Sequence, residues 1–369
     1  MKSLTVILML LTGVLALGLT SCSGDACQHR DADDDLICDK CKQSYDDGKE
    51  DSACQHKDAD DDSFCDECGE YLVTEDCLIY TLQNDGSYSV TGYVPNKTDI
   101  VIPATHKGKP VTSIANAAFR DFTYLTSVKI PDSVTQIGEE AFRSCLNLTS
   151  VTIPDSVTSI GNYAFYRCYG LTTAVIGNGV KNIDEEVFFR CDKLESLTLG
   201  SSLTTIGPRA FASCKSLVSV VIPDSLTSIS EGAFIDCSAL ESVTIGNGVT
   251  DIGATAFLSC ANLTSVSFGN GITAIGKDAF RSCPLIKSIV LPESLTSIAS
   301  GAFYYCTELE SIVIPESVTS IGDEVFTYCR SLTDVYYTAS EAKWAEISIG
   351  KDNSPLTDAT VHYNCIYEN

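Results

Sequence analysis

Apolar and polar positions between residues 114 and 337 recur at a step of 23 residues, with no insertion or deletion. Phe stands at 119, 142, 165, 188, 211, 234, 257, 280, 303 and 326. Ile stands five residues before every Phe, from Ile114 to Ile321. Cys stands three residues after nine of them, from Cys145 to Cys329, with Phe122 in the first slot. Leu stands six residues after, from Leu125 to Leu332, with Ile286 as the exception. A short fixed period with apolar residues at fixed places predicts a solenoid, whose units bury their faces only against neighbours.

One coil can be read residue by residue. Apolar residues at 137, 141, 142, 145 and 148 have helical spacing and predict a short helix or a single extended turn. Ser150 to Ile153 alternates, which predicts a strand with Val151 and Ile153 inward and Ser150 and Thr152 outward. Pro154-Asp155-Ser156 turns the chain, Val157 to Ile160 is a second short extended run, and Gly-Asn-Gly at 177–179 and 246–248 is equivalent turn chemistry. The expectation is an α/β solenoid of ten coils, a parallel β ladder plus short helices, about 50 Å long. Buried Cys behaves as a small hydrophobe with an unreactive thiol, and stacked equivalent side chains have poor disulfide geometry.

Both flanks depart from the period. Tyr80–Leu82 and Tyr88–Tyr93 alternate around the turn Asn84-Asp85-Gly86, so 78–113 reads as an N-terminal cap. After Tyr337, Ser340 precedes a short amphipathic helix carrying Trp344 and Ile347, and Ala359 to Tyr363 reads as a closing strand; 338–369 is the C-terminal cap. His106 and His362 are lone residues and read as structural.

The unit Ile-Gly-x-x-Ala-Phe-x-x-Cys-x-x-Leu-x-Ser-Val-x-Ile-Pro-x-Ser-Val, running from Ile114 through Tyr337, resembles the BspA-like class of bacterial leucine-rich repeats. The resemblance implies a right-handed solenoid on a surface protein, and some relatives adhere to host matrix proteins or to other bacteria.

Composition adds a second unit. The net charge of −25 argues against nucleic acid and anionic membrane surfaces as partners. Residues 22–77 hold 19 Asp/Glu and 5 Lys/Arg, so they carry −14 of that charge. Residues 1–21 have a Lys near the start and an apolar run, the pattern of a secretory signal. The ending Leu19-Thr20-Ser21-Cys22 resembles a bacterial lipobox, which implies cleavage before Cys22, a lipid on its sulfur, and a chain anchored to the bacterial cell surface rather than spanning a membrane.

The segment 22–77 holds two copies of Cys-x-His, eight residues, Cys-x-x-Cys. Their chemistry-bearing residues are Cys27, His29, Cys38 and Cys41, then Cys54, His56, Cys65 and Cys68. Three thiolates and an imidazole suit a closed structural zinc site, with the metal supplying folding energy. Three other readings stand beside it. The alternating Asp31, Asp33, Asp35 and Asp58, Asp60, Asp62 resemble the start of a calcium loop but lack its Gly and final Glu. Disulfides, with or without calcium, or an acidic spacer also fit the composition.

For the solenoid, no reactive constellation is present: no Ser or Cys with a His partner, no phosphate loop, no paired acids. That argues against an enzyme. The leading expectation is a surface-anchored recognition or adhesion protein that binds a host or bacterial protein or glycan; a structural spacer, or metal capture by the acidic segment, are the alternatives. The contact candidates are Tyr166, Phe189, Tyr304, Tyr305 and Tyr328, one or two positions after the Phe ladder. A polar row of outward strand residues (Ser150, Thr152, Ser196, Thr198 and their successors) is a second surface, and a turn edge of Asp and Asn a third, able to hold cations.

Overall fold

The structure, a computed structural model, describes residues 77–94 and 97–366. Cys22 and the eight proposed zinc ligands lie outside the described residues.

The alternating Ser-Val-Thr-Ile stretches do form strands. Ser150–Ile153 pairs in parallel with Thr173–Ile176, residue for residue at the repeat step. Val151 and Ile153 are buried, and Ser150 and Thr152 are exposed. Twelve such strands lie side by side, from Asp99–Val101 to Thr360–His362. The body therefore winds twelve turns rather than ten. The two additional turns come from residues outside the Phe period, and their strands pair in register with regular ones: Asp99 with Ser127, and Asp334 with Thr360. Pairing breaks after Ser196–Thr198 and after Ser265–Ser267. In those coils Leu199 and Phe268 take the place of the buried Ile, and both are only half-buried. A second ladder of two-residue strands, such as Gln136–Ile137 and Ser159–Ile160, runs along an adjacent side.

The stretch around each Phe differs from the expectation. It is not helical. The residues two before and two after each Phe have left-handed backbone, at φ of 51° to 70°. Eighteen of these twenty residues are not glycine, for example Glu140 and Ser144 around Phe142. Alternating handedness turns every second N–H the same way along the rod. Glu140, Phe142 and Ser144 thus donate to the carbonyls of Asn162, Ala164 and Tyr166 in the next coil, at 2.7–2.9 Å. The intervening amides close tight turns within the coil, such as Arg143 N–H to Glu140 C=O at 3.0 Å. Left-handed non-glycine residues each cost about 1–2 kcal/mol. The third ladder of hydrogen bonds offsets that cost, because it satisfies amides that would otherwise be buried without a partner. Among the described residues helix is confined to two four-residue turns near the end, Glu341–Trp344 and Ser354–Thr357.

The Phe ladder has a direction that the strand ladders lack. In the strand ladders amides bond both neighbouring coils, as Thr158 N–H to Thr135 C=O at 2.8 Å in the preceding coil and Leu291 N–H to Val313 C=O at 3.1 Å in the following one. In the Phe ladder each Phe N–H bonds the following coil, from Phe119 N–H to Ala141 C=O through Phe303 N–H to Val325 C=O. Along the Phe stretch the N-terminal end of the rod therefore presents carbonyls and the C-terminal end amides. At the C-terminal end Asn353 fills the gap. Its Oδ1 accepts the Phe326 N–H at 3.1 Å, and its Nδ2 donates to the carbonyls of Gly322, Gly350 and Lys351. Asn353 is one of three buried polar residues among those described.

The core is a column. Ten Phe rings stack with centroids 5.0–5.8 Å apart and planes within 11° of parallel. All are fully buried. Tyr93 extends the column at the N-terminal end, stacking on Phe122 at 3.8 Å and Phe119 at 5.8 Å.

Candidate recognition surface

The nine ladder cysteines are buried, in keeping with their apolar spacing. Each thiol also donates to the carbonyl of the Phe in the coil before it, from Cys145 to Phe119 through Cys329 to Phe303, at 3.1–3.4 Å. Burial lifts the thiols of Cys168, Cys237 and Cys283 from the ordinary 9.0 to about 12, and raises those of Cys191, Cys214, Cys260 and Cys306 as well. The folded state thus holds these protons more tightly than the unfolded chain. Their contribution to stability is complete below the unfolded thiol value and is lost as pH rises from 9.0 towards 12. Thermal unfolding followed at about pH 7, 9 and 10.5 should show a melting temperature that drops beyond pH 9; a value at about pH 10.5 equal to that at pH 9 would contradict this.

The Phe ladder carries the contact candidates on its outer side. Tyr166 and Phe189 are half-buried and stack on each other at 5.1 Å. Arg143 and Arg167 lie over the Tyr166 ring at 4.9 and 5.0 Å. Tyr304 is half-buried, with Arg281 over its ring at 4.0 Å. Tyr305 and Tyr328 are 47 % and 43 % exposed, among the most exposed large apolar side chains of the described residues. Tyr328 meets Tyr304 and Tyr305 edge-on at 5.2 and 6.0 Å, and Arg330 lies 5.7 Å from its ring. The five candidates therefore fall into two clusters. Between them the equivalent positions are occupied by Ala212-Ser213, Ile235-Asp236, Leu258-Ser259 and Arg281-Ser282. The lowered edge there forms an open cavity of about 560 Å³ beside Phe189, Arg190 and Lys215.

The arginines were not among the expected site residues. All seven described arginines lie between two residues before and four residues after a ladder Phe: 120, 143, 167, 190, 209, 281 and 330. Aligning the repeats by charge as well as by apolar residues would have found them. Arg120 and Arg143 share the carboxylate of Glu140, and Arg281 bonds Asp278 at 3.2 Å. Arg167 and Arg330 have no acidic partner among the described residues.

The other two surfaces differ. Outward strand residues Ser150, Thr152, Ser196, Thr198, Ser219, Thr244, Ser265, Ser267 and Ser288 are exposed, with Val221 66 % exposed among them. The turn edge is internally committed. Asp155 Oδ1 accepts the Asn178 N–H at 2.7 Å, Asn178 Oδ1 accepts the Ser201 N–H at 2.8 Å, and Asp224 Oδ1 accepts the Asn247 N–H at 2.7 Å. These side chains tie one coil to the next. Among the described residues no group of three or more His, Cys, Asp or Glu side chains is placed to hold a metal ion. His106 stacks on Tyr80 at 3.9 Å, and His362 Nε2 lies 2.7 Å from Asp334 Oδ1. Hydrogen bonds from His362 and Thr333 hold the Asp334 carboxyl below its ordinary range. No described helix is long and apolar enough to cross a membrane.

Similar structures have been solved from several bacteria. A leucine rich cell surface protein from Faecalibacterium prausnitzii A2-165 is 28 % identical over 74 % of this chain and 97 % of its own, with a TM-score of 0.38. A leucine-rich repeat protein of T. pallidum is 26 % identical over 69 % of this chain and 88 % of its own, at 0.43. One from Bacteroides ovatus ATCC 8483 is 24 % identical over 78 % and 98 %, at 0.39. No curated protein matches the chain. The BspA type leucine rich repeat region matches residues 112–241 and 227–347, more than half of the sequence, and the chain belongs to that family.

Proposed function

We propose that this chain is a recognition protein of the bacterial cell surface, held there by lipid on Cys22, and that it grips a host or bacterial surface protein at Tyr304, Tyr305 and Tyr328. The observation that carries this reading is the exposure of Tyr305 and Tyr328 beside Arg330, which has no acidic partner among the described residues. Tyr and Arg are the side chains most often responsible for binding energy in protein interfaces. The rings are already fixed by each other and by the backbone ladder, so docking would cost little side-chain freedom. Family membership supports the same reading, since repeat solenoids present extended surfaces to partners. A glycan is the second partner class; stacked Tyr and planar guanidinium groups also suit sugar rings and carboxylates.

The acidic segment is proposed as a zinc-holding unit through Cys27, His29, Cys38 and Cys41 and their second copies. Metal analysis of the purified full chain should give two zinc ions per chain; fewer than one removes that part of the proposal.

Truncating Tyr305 and Tyr328 to Ala should weaken capture of the partner by about 30- to 900-fold, two losses of roughly 1–2 kcal/mol each. The melting temperature should hardly move, because both rings lie outside the Phe column. The comparison is surface binding of wild type and variant to host cells and to neighbouring bacteria. Equal binding by both would move the contact elsewhere, with the exposed strand face around Val221 next in line. No binding by either would leave the rod as a spacer.

A further inference from the structure

We infer that the acidic N-terminal segment of this same chain docks on the arginine-bearing strip of the first coils. The strip consists of the residues from each ladder Phe to four positions after it. In the first five coils it holds five cations, Arg120, Arg143, Arg167, Arg190 and Lys215, against two carboxylates, Asp121 and Asp192. Residues 78–369 as a whole carry −12. A cationic strip on so acidic a body is a local reversal of charge, and Arg143, Arg167 and Arg190 are held in place by Tyr166 and Tyr169.

The carboxylates already present do not use up these cations. Arg120 and Arg143 share Glu140, and Arg120 Nε also lies 3.5 Å from Asp121. Arg190 lies 3.8 Å from Asp192, which is also 3.7 Å from Lys215. Arg167 has no acidic partner among the described residues, and its guanidinium is anchored only by the Tyr166 ring. A planar guanidinium with one face on a ring keeps its in-plane N–H donors for carboxylates.

The occupant is chosen by where the chain joins the rod. Cys77 C=O accepts the Val94 N–H at 2.8 Å, and Leu78 pairs with Tyr93. Tyr93 stacks on Phe122, three residues after the first ladder Phe. The chain therefore comes in at the first coil on the side of Arg120. Arg120 to Arg190 spans three ring steps of 5.0, 5.1 and 5.1 Å, about 15 Å. From Asp62 to Cys77 an extended chain reaches about 50 Å. The runs Asp31–Asp35 and Asp58–Asp62 can both reach the strip, and the tether gives them a high effective concentration over any free acidic partner. Cations on the strip in the last five coils are fewer, Arg281 and Arg330, and lie at the far end, so the tyrosine cluster there is left open.

The test labels arginines with phenylglyoxal in the full chain, in non-ionic detergent, and reads each site by mass spectrometry. Arg330 is the internal reference. Replacing the eight carboxylates at 31, 33, 34, 35, 58, 60, 61 and 62 by Asn should raise labelling of Arg167 and Arg190 about threefold or more and leave Arg330 unchanged; raising salt should do the same to the wild type. Equal labelling in both chains overturns the inference. So does protection that fades on tenfold dilution, which would assign the strip to a second copy, and so does protection that survives the eight replacements, which would assign it to something other than the Asp runs. Because the replacements lie outside the solenoid, an unchanged melting temperature shows that the strip itself is intact.

Discussion

Replacing Phe234 by Ala should cost about 3–5 kcal/mol and should also change the shape of the unfolding curve. Phe234 stands mid-column, 5.2 Å from Phe211 and 5.4 Å from Phe257, and is fully buried. Its removal leaves a ring-sized void that the backbone cannot close, because the Phe234 N–H is fixed to the Ala256 carbonyl at 2.8 Å and the flanking coils are held at their own spacing. In a globular protein the loss would spread over one core. In a solenoid each coil touches only its neighbours, so the damage falls on one interface and uncouples the two halves. The chain contains a way to see this. Its single Trp, Trp344, packs edge-on to Tyr337 at 5.2 Å and reports only the C-terminal half. Circular dichroism reports the whole rod. In the wild type the two signals should follow one transition in guanidinium; in Phe234→Ala they should separate. Phe234→Leu, which keeps most of the volume, should cost less than about 1.5 kcal/mol and keep them together. Coincident transitions in the Ala variant would show that the coils are coupled by more than the column.

The column was legible in the sequence because a parallel ladder places equivalent residues directly above one another. Phe, Cys, Leu and Ile at a constant step could then only be inward rows. The outward alternation of Ser150 and Thr152 was legible for the same reason. The stretch around each Phe was not, since a chain that alternates between right- and left-handed residues also brings every third or fourth side chain to one face. Ala141, Phe142 and Cys145 satisfy both descriptions. The usual marker of left-handed backbone, Gly, is nearly missing: Glu140, Ser144, Arg167 and Tyr305 all adopt it. Inter-coil hydrogen bonds impose the conformation, and these bonds depend on a neighbour 22 residues away, which local propensity does not register. The closing strand was legible, but the first and last turns did not read as coils, because Asp99–Val101 and Thr360–His362 keep the strand and lack Phe and Cys. At the candidate surface, the tyrosines stood out as aromatics in register. Their arginines did not, since Arg143 and Arg281 stand one place after the Phe, Arg167 two and Arg330 four, so that they form no single row.

Replacing Asn353 by Ala should cost about 2–4 kcal/mol, more than a side chain of its size usually carries. The reason lies in the direction of the third ladder. Every coil passes its Phe N–H forward, and the last one, at Phe326, has no coil to receive it. A backbone carbonyl would serve, as Lys351 does for Glu324 at 2.8 Å, but at Phe326 the acceptor is the Asn353 amide oxygen. The same amide donates backwards to Gly322 at 2.8 Å, to Gly350 at 3.1 Å and to Lys351 at 3.3 Å. Truncation thus leaves a donor and two acceptors short of partners in a buried position, since Lys351 C=O keeps the Glu324 N–H, and each unsatisfied group costs about 1–3 kcal/mol before relaxation and water are counted. Asn353→Asp separates the two roles. The carboxylate still accepts from Phe326, but it faces the three carbonyls with no donor, so at pH 7 this variant should be no more stable than Asn353→Ala. Burial and the carbonyls raise the pKa of the introduced carboxyl, so that protonation below about pH 5 restores a donor and should recover part of the loss. Hydrogen exchange locates the effect. Amides of the last two or three coils, Phe326 among them, should exchange faster in both variants, while those around Phe142 keep their wild-type protection, since a stack that is opened at one end frays from that end. Exchange accelerated evenly along the rod, or a melting temperature equal to wild type, would show that the end of the ladder is closed by something other than this amide.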